Sequence, residues 1–180
     1  FAMLELPPAL VQQAQEAIES EVAKAEPTDT SRVGEAMHWL LEHAADTPQG
    51  WLPERVAQAR RRFGADADQA ARAEILARRI LTGDAAWAWA GGEVLEAFNE
   101  IELTHQGQRL RIDRLVRRSA GAHGDEAWWV LDYKSAARPE RDALLVEQLG
   151  RYREAVSLIH PGQTVVAAFL SADGRVVSVG

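Results

Sequence analysis

At 180 residues the chain is long enough for one domain with a real core, since a domain near this size buries roughly 70% of its unfolded surface. Its 47% hydrophobic and 26% charged residues are ordinary for a globular protein, and its net charge of −7 argues against a free-standing nucleic-acid binder. The absence of cysteine excludes disulfides, cysteine-ligated zinc, iron–sulfur clusters and thiol nucleophiles within the chain; with no apolar run near the length of a membrane span, the expectation is a cytoplasmic protein with no membrane partner.

Residues about 8–24 read as a helix, with Leu10, Ala14, Ala17, Ile18 and Val22 near one stripe. Pro27 to Thr30 is a break, after which Ser31 is predicted to cap a second helix with Glu35 in its first turn. That helix carries Val33, Ala36, Met37, Leu40, Leu41 and Ala44 on one face, and His38 on the flank between Gly34 and Glu42. Gly34 leaves space beside the imidazole. On this segment alone, a surface or satisfied histidine is the commoner reading and a ligand the rarer one. After a turn at Thr47-Pro48-Gln49-Gly50, a helix is predicted from Leu52 to Phe63. Its Arg60-Arg61-Arg62 run suits the negative end of the helix dipole, a blander reading than phosphate contact. Gly64 stops it. A further helix over about 67–81 carries Ile75, Leu76 and Ile80 and ends at Gly83; a short Ala/Trp segment from Asp84 runs to Gly91-Gly92.

The period then changes. Phe98 to Thr104 alternates like a strand, His105-Gln106-Gly107-Gln108 turns, and Arg109 to Arg117 returns. A polar loop from Ser119 to Asp125 leads to an apolar strand, Trp128 to Lys134. Residues 140–159 form an amphipathic helix with Leu144, Leu145, Leu149, Tyr152, Val156 and Ile159. Thr164 to Leu170 and Val176 to Val179 are strands about an Asp173-Gly174 turn. The order predicts an α/β (α+β) fold in a single domain, with a helical part over about 1–92 and a sheet-bearing core over about 93–180.

Within the Trp128–Lys134 strand, Asp132 and Lys134 share a face, with Leu131 and Tyr133 opposite. Charges in such a strand are costly unless paired or metal-bound, and an Asp–Lys ion pair is the plain alternative to a functional site. Lys134 is one of only two lysines among the 20 basic residues, the other being Lys24. The two preceding strands carry acids as well, Glu100 and Asp113. Acids gathered on neighbouring strands repel, and a divalent cation relieves the repulsion. Hard oxygen donors favour Mg²⁺, Mn²⁺ or Ca²⁺ over zinc. Three separately solvated acids, two of them paired with Arg111 and Arg114, would leave the same trace in the sequence.

Ile112-Asp113-Arg114-Leu115, then Val130-Leu131-Asp132-Tyr133-Lys134-Ser135, then Gln148-Leu149-Gly150-Arg151-Tyr152, resembles the nuclease domain of the RecB family, of the PD-(D/E)XK superfamily, as found at the C-terminus of RecB- and AddA-type helicase–nucleases of the exonuclease V kind. The likeness covers residues 98–180 and extends upstream to Gly34-Glu35-Ala36-Met37-His38, similar to the family's Gly-x-x-x-His helix. The ordered set is far more specific than any member alone. The resemblance implies a restriction-endonuclease-like core with a mixed central sheet. It implies that Asp113, Asp132 and His38 bind a catalytic Mg²⁺, with Mn²⁺ able to substitute. Glu100 matches the acid on the preceding strand, with Glu93, Glu96 and Glu102 as close rivals, and Lys134 matches the catalytic lysine. Gln148 and Tyr152 would line the site or contact DNA. Arg111, where the family often has glycine, and Ser135, where threonine is common, are departures; Arg111 could narrow the approach to the metal.

The function implied is a metal-dependent DNA nuclease domain, the C-terminal piece of a longer helicase–nuclease, hydrolysing phosphodiester bonds in DNA end processing and recombinational repair. Its partners would be DNA, the helicase domain of the same chain and a second helicase–nuclease subunit. The alternatives are a catalytically silent nuclease-fold module that holds DNA or a partner subunit, and a stand-alone nuclease.

Overall fold

The computed structural model describes residues 29–44, 51, 53–89, 92–121 and 124–180. The helix predicted over 8–24, residues 27 and 28 of the break before Ser31, and the turn at 47–50 lie outside these residues.

Three helices come first: α1 (Asp29–Glu42), α2 (Pro53–Arg62) and α3 (Ala67–Thr82). Then follow β1 (Val94–His105), β2 (Gln108–Arg118), β3 (Ala127–Lys134), α4 (Ala143–Ile159), β4 (Val165–Ser171) and β5 (Val176–Val179). The strands form one sheet in sequence order. Every neighbouring pair is antiparallel except β3 and β4, which run parallel because α4 carries the chain back between them. The expected α/β class and mixed sheet are therefore observed. Among the described residues no helix is long and apolar enough to cross a membrane.

The sheet has a helical layer on each face. Val33, Ala36, Met37, Leu40, Leu41 and Ala44 of the α1 segment are all buried, as their spacing predicts. They pack with Ala73, Ala77 and Ile80 of α3 against Val116, Leu131, Tyr133, Ala168 and Leu170. On the other face Leu149, Tyr152, Ala155 and Val156 of α4 cover Ile112, Trp128, Val130, Ala167 and Phe169. Fully burying side chains such as Leu40 or Phe169 contributes about 1.5–3 kcal/mol each. β1 and β2 are joined at Gln106 and Gly107, both with positive φ (49° and 76°), the requirement of a tight two-residue hairpin turn.

Four expectations need correction. α1 starts at Asp29, so Ser31 lies in its first turn rather than at its cap. β1 starts at Val94, ahead of Phe98, because it pairs along nearly the whole of β2. Leu144 (75% exposed) and Ile159 (55%) stand outside the α4 core stripe: Leu144 is rotated about 100° from Leu145, and Ile159 ends the helix. Ile75 (51% exposed) likewise faces away while its neighbour Leu76 is buried.

The sheet is interrupted at one level. β2 and β3 are paired from Arg118 with Ala127 to Arg114 with Leu131, and no further. One step beyond would lie Asp113 and Asp132. In β1 the residue at this level is Glu100, whose φ of 52° is left-handed, a conformation that costs a non-glycine residue on the order of 1–3 kcal/mol. Side-chain alternation breaks here too. Leu110 and Ile112 face α4, yet so does Leu115, while Val116 faces the helical layer of α1 and α3. The strands thus bend and fork at the acids.

Candidate active site in the fork of the sheet

The fork opens into a cavity of about 430 Å³ lined by Gly34, His38, Glu100, Arg111, Asp113, Asp132, Lys134, Gln148 and Tyr152, together with Glu35, Trp39, Glu42, Arg62 and Phe63. Every residue singled out as a site candidate is brought to this one cavity. The rivals of Glu100 are not: Glu93 pairs with Arg118, Glu96 with Arg117 and Glu102 with Arg109, away from it.

Where β2 leaves β3, Tyr133 loses its strand partner on that side. Its N–H donates instead to Asp113 Oδ2 at 2.7 Å, and its carbonyl oxygen lies 2.9 Å from His38 Nε2. The two side chains replace the missing ladder bonds, which fixes them to the backbone of β3. His38 reaches that far because α1 packs its apolar face on the sheet and Gly34, one turn earlier, leaves the wall thin. A Cβ on Gly34 would sit 3.8 Å from Ser135 Oγ, so alanine fits and a longer side chain would enter the cavity.

The tautomer of His38 follows. Facing a carbonyl, Nε2 must carry the proton. Nδ1 points at Asp113 Oδ1, 3.3 Å away. With the ring neutral, two lone pairs face one another. The contact is favourable only when Nδ1 is protonated or when a cation lies between. The protonation balance reflects this. Burial pulls the His38 pKa down, but the hydrogen bond and charge of Asp113 and the charge of Asp132 outweigh it and hold it raised. Burial likewise pushes Asp113 up, and His38, the Tyr133 N–H and Lys134 outweigh that and hold it below its ordinary value.

Asp132 is less compensated. Burial, then the charge of Asp113, push its pKa up to about 6 even though Lys134 Nζ lies 2.8 Å from Oδ2. Two carboxylates that cannot both ionise cheaply mark a shortage of positive charge. Glu100 is bonded to the Arg111 guanidinium. On α4, Gln148 is half-buried and Tyr152 buried; burial raises the Tyr152 pKa to about 12, so its hydroxyl stays a donor.

The donor set suits a hard divalent cation: one imidazole nitrogen and carboxylate oxygens. Two cis ligands on an octahedral ion at 2.0–2.1 Å lie about 2.9–3.0 Å apart, close to the 3.3 Å between His38 Nδ1 and Asp113 Oδ1. Among the described residues, no three of His, Asp and Glu gather closely enough to enclose an ion. Asp132 and Glu100 are instead engaged by Lys134 and Arg111. An open seat of this kind matches the way Mg²⁺ is commonly held, by one or two carboxylates with waters and substrate phosphate completing the shell.

Sequence reasoning missed the far wall. Trp39 adjoins His38 in sequence, and Arg62 and Phe63 end the arginine run that was read as dipole compensation; all three line the cavity. A charged, aromatic wall beside an acidic pair was legible only once α2 was known to pack beside α1.

Residues 11–177 match a family model described as the PD-(D/E)XK nuclease superfamily. No curated protein matches the chain.

Proposed function

The chain belongs to the PD-(D/E)XK nuclease superfamily, and from that premise we propose a metal-dependent deoxyribonuclease of the RecB type, hydrolysing phosphodiester bonds during DNA end processing. The observation that carries the proposal is the close approach of His38 Nδ1 and Asp113 Oδ1, 3.3 Å apart, with both side chains anchored to Tyr133. His38, Asp113 and Asp132 would hold the ion, Mg²⁺ or Mn²⁺, with Glu100 completing the set. Bound there, it supplies a Lewis acid for a phosphate oxygen and lowers the pKa of a bound water.

The chain's own groups do the rest. Tyr133 holds His38 and Asp113 in register through its backbone. Lys134, whose ammonium repels a cation, sits on the Asp132 carboxylate and offers N–H donors where negative charge grows on phosphorus. Gln148 and Tyr152, one turn apart on α4, offer donors to the backbone of the strand being cut. The chain's net −7 fits a domain whose affinity for DNA comes from elsewhere. The proposal therefore extends to a single nuclease domain at the C-terminal end of a cytoplasmic helicase–nuclease, with the helicase domain and a second subunit as partners.

A second reading, a silent nuclease-fold module, is favoured by one feature: Lys134 and Arg111 already occupy Asp132 and Glu100. Mn²⁺ titration with parallel assay separates the readings. The nuclease reading expects a rise in melting temperature with millimolar Mn²⁺, and cleavage of DNA by the chain or by the full-length protein that contains it. A melting shift without cleavage in either supports the silent module, and no shift removes the metal site.

A further inference from the structure

Four side chains on the cavity wall are basic: His38, Arg62, Arg111 and Lys134. His38 and Lys134 are committed to Asp113 and Asp132. Arg111 is committed in a different manner. In the β1–β2 ladder it lies directly opposite Glu102, the partner that cross-strand pairing would select. Arg109 takes Glu102 instead, at 3.3 Å, and Arg111 reaches along the strand to Glu100. It does so through Nε alone among the described residues, on a side chain 66% exposed, while Glu100 is only 17% exposed. Among the described residues the terminal nitrogens of the fork make no hydrogen bond, and the side chain lines the cavity. Glu100 meets it from a left-handed backbone position that a glutamate does not adopt without cost.

We propose that Arg111 is a phosphate-binding residue of the site, held by Glu100 until a divalent cation takes that carboxylate, and then released to the phosphate backbone of the bound strand. This rests on the nuclease reading above. A carboxylate shared between a guanidinium and a metal ion binds one at the expense of the other, so metal and Arg111 compete for Glu100. The competition works for the reaction, because the displaced cation gains a forked partner of matching geometry when nucleic acid is present. Cation and strand then favour one another: each frees what the other's binding would otherwise have to displace.

The test has two arms. In EDTA, the affinity of a short fluorescent oligothymidylate is measured for wild type, Glu100→Gln, Arg111→Met and the double variant, all checked for wild-type melting behaviour. Glu100→Gln frees Arg111 and should tighten binding about threefold, the scale of one exposed ion pair, and the double variant should lose that gain. A gain that persists in the double variant is a plain charge effect and overturns the proposal. In the second arm, calorimetric Mn²⁺ affinity without DNA should rise about threefold for Arg111→Met and stay near wild type for Arg111→Lys. With DNA, Arg111→Met should raise KM more than it lowers kcat, and Lys should restore part of KM. Unchanged Mn²⁺ affinity in Arg111→Met overturns the competition. Should wild type neither bind Mn²⁺ nor cleave DNA, the nuclease reading fails, and the EDTA arm still decides whether Glu100 restrains Arg111.

Discussion

The two ends of β2 do different things with the same kinds of residue. At the Arg114–Arg118 end the ladder to β3 is complete, and charged side chains pair with one another: Arg117 with Glu96 and Glu126 at the surface, and the buried Arg118 with Glu93. At the Arg111–Asp113 end the ladder stops, and Asp113, with His38, takes the backbone bonds that β3 would otherwise lack. The difference teaches that charge alone does not make a site. The acids at the paired end are partly exposed and each is neutralised by an arginine, whereas Asp113 and Asp132 at the forked end are buried and crowded, and Asp113 is tied to the main chain.

The largest effect should come from removing the charge at the fork that touches the reaction. Lys134→Met is expected to lower cleavage by at least ~100-fold, the scale of one preorganised electrostatic group. Mn²⁺ affinity should be retained or slightly tightened, since a positive neighbour has gone. Cleavage rate and calorimetry on one preparation check this, and wild-type cleavage would return Lys134 to an ion-pair partner of Asp132.

Next comes Asp113→Asn. Repulsion among the acids, read from sequence, suggests that this change raises metal-free stability. The structure reverses that expectation, because the carboxylate is held by His38, Lys134 and the Tyr133 N–H. Loss of the charge should destabilise the metal-free protein by about 1–3 kcal/mol and abolish the Mn²⁺-induced melting shift. Urea unfolding with and without Mn²⁺ measures both.

A pH titration sharpens the contrast further. With Asp132 raised to about 6, the native state binds more protons than the unfolded chain from the ordinary carboxylate range up to about 6. This group's contribution to metal-free stability therefore falls as pH rises through that window. Metal competes with this proton and with the one on His38 Nδ1, so Mn²⁺ affinity should weaken by more than tenfold per unit as pH drops below about 6. Affinity independent of pH between 5 and 7 would remove both Asp132 and His38 from the ligand set. The smallest effect belongs to the paired end: Glu96→Gln should change stability by less than about 0.5 kcal/mol and leave cleavage untouched.

The helical face of α1, the hairpin and the Asp-x-Lys strand were legible because each rests on local period and turn chemistry. The cavity's residues were legible as a set only through the resemblance, since no local rule joins His38 to Asp113. What stayed hidden depended on tertiary packing: which leucines of α4 face out, how Trp39 and Arg62 reach the cavity, and which carboxylate Arg111 chooses. Register alone would have given Arg111 to Glu102. The fork and the left-handed Glu100 had no signal in the sequence, because both arise from where β2 and β3 part.

The central claim is that His38 Nδ1 and Asp113 Oδ1 face one another in order to share a cation. A crystal structure with Mn²⁺, phased on its anomalous signal, tests it most directly. The account predicts a peak about 2.2 Å from both atoms, with His38 Nε2 still on the Tyr133 carbonyl. A peak elsewhere in the cavity, with Nδ1 still hydrogen-bonded to Asp113, would contradict it.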